Sequence, residues 1–152
     1  MNTPPEHPRH LPALDAPVDD GTLVYRLIPV SLCDAVDGRW EFQSWAFDNS
    51  TPLEDGERDD EMSVVLGDTL AVLDRLPANL PVETPCKGDP ELYGVAKLSV
   101  GFLRNEVDQS IHRTPNHEEL AHGDVRGGKN PKRRKKLKKH ARWVVEPQMP
   151  PQ

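Results

Sequence analysis

Alternating apolar and polar positions predict three strands along this chain. The run 95–103 has the clearest period of two, which is typical of a strand with one face on the core and one face toward water. The run 22–30 is rich in β-branched and aromatic residues, and the run 39–47 follows an Asp-Gly turn signal. We expect all three runs to pair in one sheet. The core side of the run 95–103 would carry Ala96, Leu98, Val100 and Phe102.

Shorter elements are predicted between and after these strands. The apolar run 62–66 indicates a strand, and Asp68 is a suitable cap for a helix through about Leu76, where prolines follow. The runs 109–113 and 120–126 indicate further short strands. The expected fold class is therefore α+β, with one small, mostly antiparallel sheet and two helices.

The second of these helices is predicted near the C-terminal end and is strongly basic. Asn130 is a good N-cap and Pro131 suits the first helical position, so the helix would occupy about 130–142. Apolar residues recur at i, i+4 and i+7 and form a narrow stripe that we expect to face the body. This stripe consists of Leu137, Ala141 and Val144.

Proline content sets the expected domain boundaries. The chain has 16 prolines and a hydrophobic fraction of 36%, which suggests that part of it lies outside a packed core. We expect a disordered, proline-rich arm over 1–20, a single α+β domain over 21–146 and a disordered tail over 147–152. Segment 54–61 holds six acidic residues and one arginine around a glycine, and we expect a solvated loop there.

Cysteine usage and hydropathy indicate a cytoplasmic protein without a membrane partner. Cys33 and Cys86 are far apart and show no metal-ligand spacing, which fits two free thiols in a reducing compartment. No apolar run approaches the roughly 18 residues needed to span a bilayer. His112, His117 and His122 follow one another at intervals of five. At this spacing neighbouring histidines point in different directions on a helix and to opposite faces of a strand, so no metal site is expected.

Charge is divided unevenly along the chain. Residues 126–142 contain ten Lys and Arg residues and no Asp or Glu, whereas residues 1–125 contain 24 acidic and nine basic residues. Such asymmetry favours a polyanionic partner, such as nucleic acid, or an acidic protein surface. The alternative is a helix that packs on its own acidic body. The candidate binding residues are Lys129, Lys132, Arg133, Arg134, Lys135, Lys136, Lys138, Lys139 and Arg142.

A second candidate site centres on polar residues among apolar neighbours. Arg26 falls between apolar residues on the first predicted strand, and Ser44 has the same position on the second. A buried guanidinium needs a partner or opens into a cleft, because isolated burial of charge is costly. Arg26 and Ser44 would then hold a phosphate, with His122 as an acid or base. The alternative is an arginine bound to a structural carboxylate or to backbone carbonyls.

A series of short strings runs along the chain before the basic helix. They are Tyr-Arg-Leu-Ile-Pro at 25–29, Ser-Trp-Ala-Phe at 44–47, Met-Ser-Val at 62–64, Tyr-Gly-Val-Ala at 93–96, the stretch 122–127, and Trp-Val-Val-Glu-Pro at 143–147. This combination resembles a group of small bacterial proteins. The resemblance covers about 22–147 and implies a bacterial origin and one continuous domain. It implies no particular activity.

The order of Arg26 and Ser44 also resembles, more loosely, that of ADP-ribosyltransferase-type folds. In those folds an Arg or His on an early strand and a Ser on the next frame an NAD pocket. If the protein is an enzyme of this type, the resemblance implies NAD or another nucleotide as its cofactor. The catalytic Glu of a late strand has no clear match, since Glu106, Glu118 and Glu119 fall in expected loops.

Two functions follow from these observations. The first is an accessory or interaction protein of a larger bacterial assembly, without a cofactor, that contacts a polyanion or an acidic partner through its basic helix. The second is a small nucleotide-binding enzyme with a cleft around Arg26 and Ser44. An enzyme requires its polar groups to converge in a pocket, whereas a binding module requires only an exposed basic face.

Overall fold

A computed structural model describes residues 11–48, 61–84 and 89–148 of the chain. The outer parts of the expected arm and tail, Cys86, and most of the acidic segment 54–61 lie outside these residues. The fold is α+β, as expected, with a six-stranded antiparallel sheet and a separate two-stranded hairpin. The strands are β1 Leu23–Pro29, β2 Cys33–Val36, β3 Arg39–Phe42, β4 Glu61–Leu66, β5 Tyr93–Ser99, β6 Ser110–Arg113, β7 His122–Arg126 and β8 Arg142–Val145. The helices in the described residues are α1 Gly67–Val72, α2 Leu80–Glu83, α3 Val100–Val107 and α4 Pro131–His140.

The main sheet has the strand order β6-β7-β4-β1-β5-β8. Strand β1 pairs with β5 along its whole length, but with β4 only at Val24↔Leu66 and Tyr25↔Val65. Both faces of the sheet are covered by apolar side chains, so the central strands are buried on both sides. The larger core contains Val24, Ile28, Phe47, Leu98, Leu103 and Leu137, and the smaller one contains Tyr25, Val65, Leu70, Leu80 and Ala121.

The predicted strand 95–103 is a strand only as far as Ser99. The Ser99 hydroxyl accepts a hydrogen bond from the Phe102 amide at 3.3 Å and caps α3. Ala96 and Leu98 lie in the core of the sheet, as predicted. Val100 is also buried, but it belongs to α3. From this residue on, the buried positions follow the spacing of a helix instead of the alternation of a strand.

The prediction that 39–47 belongs to the main sheet is wrong. Strand β3 pairs with β2 in a hairpin whose turn residues Asp37 and Gly38 both have positive φ, 51° and 77°, as a type I′ turn requires. The chain then forms a 3-10 turn, Ser44–Phe47, so Ser44 is not on a strand. Ala46 and Phe47 are both buried in this turn.

The remaining strand predictions are confirmed as β4, β6 and β7. The basic helix is confirmed as α4, but it ends at His140, and residues 142–145 form β8 along β5. Leu137 and Ala141 are buried as predicted, whereas Val144 lies on β8 and is exposed.

The packed body extends past the predicted bounds 21–146 at both ends. Val18, which falls within the expected arm, is buried in the main core. The Arg113 side chain donates hydrogen bonds to the carbonyls of Ala16 and Pro17 at 3.1 and 3.2 Å. At the other end Pro147 is buried, and the Gln148 amide donates to the Glu91 carbonyl at 3.1 Å. Residues 16–18 and 147–148 therefore contact the packed body.

Candidate functional site

Helix α4 is capped at both of its ends, and its apolar stripe packs on the body. The Asn130 side chain accepts a hydrogen bond from the Arg133 amide at 2.9 Å, as expected for an N-cap. At the other end the Arg142 guanidinium donates to the carbonyls of Lys139, His140 and Ala141 at 2.7–3.2 Å. Leu137 lies between these ends and is completely buried. The inner side of α4 therefore packs on the protein's own body.

Two of the predicted binding residues are part of this inner side. Lys129 is 5% exposed, and its ammonium donates to the carbonyls of Val125 and Gly127 at 3.0 and 2.9 Å. Arg134 is 9% exposed and donates to the Lys129 carbonyl at 2.6 Å. Both side chains are buried and bond backbone carbonyls, so neither group is presented to a partner, although the Arg134 Nε is buried without a hydrogen-bond acceptor among the described residues.

The outward side of α4 is a row of exposed lysines. Lys132, Lys135, Lys136 and Lys139 are spaced at i, i+3, i+4 and i+7 and therefore share one face, which we call the lysine face. The Lys136 ammonium donates to the Glu106 carbonyl at 3.2 Å. The other three have no hydrogen-bond or ion-pair partner within the described part of the chain. The lysine face extends over about 10 Å of helix axis, at 1.5 Å per residue.

The other basic residues lie beside the lysine face and have mixed roles. Arg133 donates to the Gly128 carbonyl at 2.8 Å and lies 3.6 Å from an Asp108 carboxylate oxygen. Arg142 closes the end of the helix, as described above. Lys138 is exposed on the flank of α4 that faces the hairpin. The predicted set of basic residues therefore separates into those that hold the helix and those that face outward.

A cleft lies beside Arg26, where the main sheet divides. Beyond Tyr25 and Val65, β1 and β4 no longer pair, and Arg26 bridges the gap. Its Nε donates to the Ala46 carbonyl at 2.7 Å and one Nη donates to the Ser63 carbonyl at 2.7 Å. Burial lowers the pKa of Arg26 to about 10, against the opposing charge of Asp48, so it stays protonated at neutral pH. Arg26 thus bonds backbone carbonyls, the structural alternative considered above.

The cleft beside Arg26 has a volume of about 310 Å³. His122 lies on its wall, with Nδ1 2.8 Å from the Thr114 hydroxyl oxygen and 3.2 Å from the Thr114 carbonyl oxygen. Ser44 does not line this cleft, although Arg26 bonds the Ala46 carbonyl in the 3-10 turn that Ser44 begins. Arg26 and His122 are therefore brought together, and Ser44 is not. Further lining residues that the sequence did not indicate are Tyr25, Ser63, Thr84 and Asn116.

One end of the cleft is shaped by a buried carboxylate. Glu119 accepts hydrogen bonds from both Nη atoms of Arg75, from the Thr84 hydroxyl at 2.7 Å and from the Ala121 amide at 3.0 Å. Burial raises the pKa of Glu119, but these hydrogen bonds outweigh it and leave the pKa below its ordinary value. Glu119 therefore stays ionised at neutral pH and anchors the loop before β7. Its neighbour Glu118 is exposed and also lines the cleft.

No family model matches this chain, and neither do the curated proteins or the solved structures that were compared with it. Function must therefore be inferred from the residues themselves. Within 11–48, 61–84 and 89–148, no helix has the length and apolar character needed to cross a membrane. The same residues contain no group of three or more His, Cys, Asp or Glu side chains suited to a metal ion.

Proposed function

We propose that this protein is an accessory or interaction protein of a bacterial assembly, in the cytoplasm, and that it binds a polyanion or an acidic partner through the lysine face of α4. The observation that carries the proposal is the separation of roles along the helix. Arg134 and Arg142 bond backbone carbonyls next to the start and at the end of α4, while Lys132, Lys135 and Lys139 are exposed and unpaired among the described residues. A docked helix with one cationic face is preorganised for dense negative charge.

Like charge on this face has a cost that binding would remove. Lysines at i, i+3 and i+4 repel each other by a few tenths of a kcal/mol per pair. Phosphates placed along the face would replace this repulsion with attraction and release condensed counterions. The acidic remainder of the chain limits the contact, because its charge acts over a Debye length of about 8 Å at physiological salt. The partner is therefore expected to meet the helix locally rather than wrap around the protein.

The proposal is tested by titrating nucleic acid, heparin and polyglutamate at several salt concentrations. For duplex DNA, the log of the affinity should fall with log salt at about 0.9 per phosphate contacted. The variant with Lys132, Lys135, Lys136 and Lys139 all changed to Gln should bind more weakly and with a shallower slope. Changing the same four lysines to Arg keeps the charge and should preserve both quantities.

A second control separates local contact from net charge. Lys97→Gln with Arg104→Gln lowers the net charge by two at exposed or half-exposed positions on β5 and α3, outside the lysine face. Lys132→Gln with Lys139→Gln lowers it by the same amount on the lysine face. Only the second pair should weaken binding strongly. Equal effects of the two pairs, or no binding of any of the three polyanions at low salt, would contradict the proposal.

The cleft supports a second candidate function, a small nucleotide-binding enzyme. The specific observation in its favour is that Arg26 and His122 line the same cleft. Against ADP-ribosyl transfer, Ser44 does not line the cleft, Glu119 is bound to Arg75, and Arg26 bonds backbone carbonyls. Calorimetric titration with NAD, ATP and ADP, for the native protein and His122→Ala, tests this function. His117→Ala changes an exposed histidine and is the control.

A further inference from the structure

All three tryptophans of the chain lie beside α4. The sequence places only Trp143 near the basic run, whereas folding brings Trp40 and Trp45 to the same flank of the helix. Trp45 contacts Arg134, near the middle of α4, and Trp40 and Trp143 line a groove with Lys138 and Arg142 at its end. Large aromatic side chains next to exposed cations are the combination that binds unpaired bases and their phosphates.

Trp45 is an exposed and rigidly supported aromatic surface. The indole is 56% exposed, although a tryptophan on this turn could have packed into the core beside Ala46 and Phe47. The Arg134 guanidinium carbon lies 4.1 Å from the ring centroid and so covers part of the indole. Arg134 is itself held by the Lys129 carbonyl at 2.6 Å. The ring is thus oriented before any ligand arrives, which reduces the entropy lost on binding.

A groove at the end of α4 carries the other two tryptophans. It has a volume of about 500 Å³ and lies between the β2–β3 hairpin and the α4–β8 junction. Trp143 forms part of its wall, with its ring centroid 4.3 Å from that of Phe42 and its Nε1 donating to the Trp40 carbonyl at 3.1 Å. The cations of the groove are Arg39, Lys138 and Arg142, and its acids are Asp37 and Glu41.

Cations connect the two aromatic positions. Arg134 and Lys138 are four residues apart and therefore lie on the same side of α4, about 6 Å apart along its axis. Lys138 is exposed, has no partner within the described residues, and lines the groove. Asp37 and Glu41 are on the hairpin side, so negative phosphates are favoured on the helix side. The flank therefore presents the ring of Trp45, the cation of Lys138 and the aromatic wall of the groove.

We propose that this flank binds single-stranded nucleic acid, with an unpaired base stacked on Trp45 and the adjoining phosphates near Lys138 and the lysine face. This inference rests on the proposed function and names the class of polyanion. A duplex keeps its bases stacked inside and offers only phosphates. An acidic peptide would neutralise the lysines but has no flat ring to cover Trp45.

The test measures binding of four ligands to the native protein and to Trp45→Leu. The ligands are an oligo(dT), an abasic oligonucleotide of the same length, a duplex and polyglutamate, all at one salt concentration. Trp45→Leu should weaken oligo(dT) binding at least about fivefold, because stacking contributes roughly 1–3 kcal/mol per base. Binding of the abasic strand should not change, nor should the salt slope. Oligo(dT) should also quench tryptophan fluorescence, and Trp45→Leu should remove part of that quenching.

Two further variants keep the test decisive. Trp45→Phe retains an aromatic ring and should retain most of the affinity, which separates stacking from any effect on folding. Val82→Ser removes an exposed apolar side chain on α2, far along the chain from α4, and should have no effect. Equal oligo(dT) affinity of Trp45→Leu and the native protein, or equal affinity for oligo(dT) and the abasic strand, would overturn this inference while leaving the proposed function intact. Preferential binding of polyglutamate would also overturn it, and failure to bind all ligands would overturn both.

Discussion

The imidazole of His140 stacks on the ring of Phe102, with centroids 3.9 Å apart and planes 2° from parallel. Its Nε2 accepts a hydrogen bond from the Ser99 amide at 3.2 Å. A nitrogen that accepts from an amide carries no proton, so the folded protein requires neutral His140. This contact joins the last residue of α4 to the first turn of α3, and it makes the docking of the basic helix depend on pH.

We predict that stability falls as the pH is lowered through the range just below neutrality. Burial lowers the pKa of His140, and the charge of Arg142 lowers it further, below the value of about 6.5 in an unfolded chain. The unfolded chain then binds more protons than the folded one, so this contribution is present above about pH 6.5 and is lost as pH falls toward the folded pKa. Urea unfolding at a series of pH values measures it.

The controls for this prediction are other histidine variants. His140→Gln cannot titrate and should flatten the dependence between pH 7 and 5, whereas His117→Gln changes an exposed histidine and should keep it. Asp68 and Glu119 do not obscure the effect, because hydrogen bonds leave both of their pKa values below the ordinary range and their contribution is lost only in more acidic solution. An unchanged slope in His140→Gln would show that another group titrates.

Docking of α4 should depend on Leu137. The side chain is completely buried in the main core, so Leu137→Ala removes apolar contacts and leaves a cavity. We expect a loss of about 2–5 kcal/mol in the free energy of unfolding. Leu76→Ala truncates a leucine that is 63% exposed and should change stability little. Equal unfolding midpoints for Leu137→Ala and the native protein would mean that the helix is not held by this contact.

Glu119 should stabilise the loop before β7 and, with it, one wall of the cleft. Glu119→Gln removes half of a two-bond ion pair and leaves Arg75 paired with Glu83. We expect a loss on the order of 2–3 kcal/mol, below the full cost of breaking a buried pair because Arg75 is partly exposed. The matched control is Glu118→Gln, one residue away and exposed. Thermal and urea unfolding of the two variants should differ clearly.

Local sequence signals predict where helices and strands occur better than they predict which strands pair. Asn130 and Pro131 located the start of α4, and the alternation at Ala96 and Leu98 located β5, since caps and periodicity are properties of neighbouring residues. Ser99 could cap a helix or continue a strand, and only the buried contacts of Val100 and Leu103 favour the helix. The assignment of β3 to a hairpin depends on long-range pairing that no local pattern contains.

The sequence predicts the basic residues of the site from their charge, but not which of them are buried. The exposed lysines of α4 follow from composition, but the burial of Lys129 and Arg134 does not, because it requires the carbonyls of the loop before the helix and the ring of Trp45. The apolar neighbours of Arg26 in the sequence indicate a guanidinium that needs a partner, and in the fold backbone carbonyls supply it. The approach of Trp40 and Trp45 to α4 had no local signal, since almost ninety residues separate them from the helix.

Close packing of β8 on β5 should require glycine at position 94. A Cβ atom there would lie 2.4 Å from a Trp143 ring carbon, 2.6 Å from Pro147 Cδ and 2.7 Å from the Val145 carbonyl oxygen. Gly94→Ala must therefore displace β8 and the indole that lines the groove, at a cost of about 1–3 kcal/mol for an overpacked site. Gly21→Ala introduces the same methyl group where no atom lies within 4 Å, and it should be neutral or slightly stabilising. Urea unfolding gives the stabilities, and tryptophan fluorescence of the folded variants reports the displacement of Trp143. A Gly94→Ala protein with native stability and an unchanged emission spectrum would mean that β8 is more loosely packed than this geometry implies.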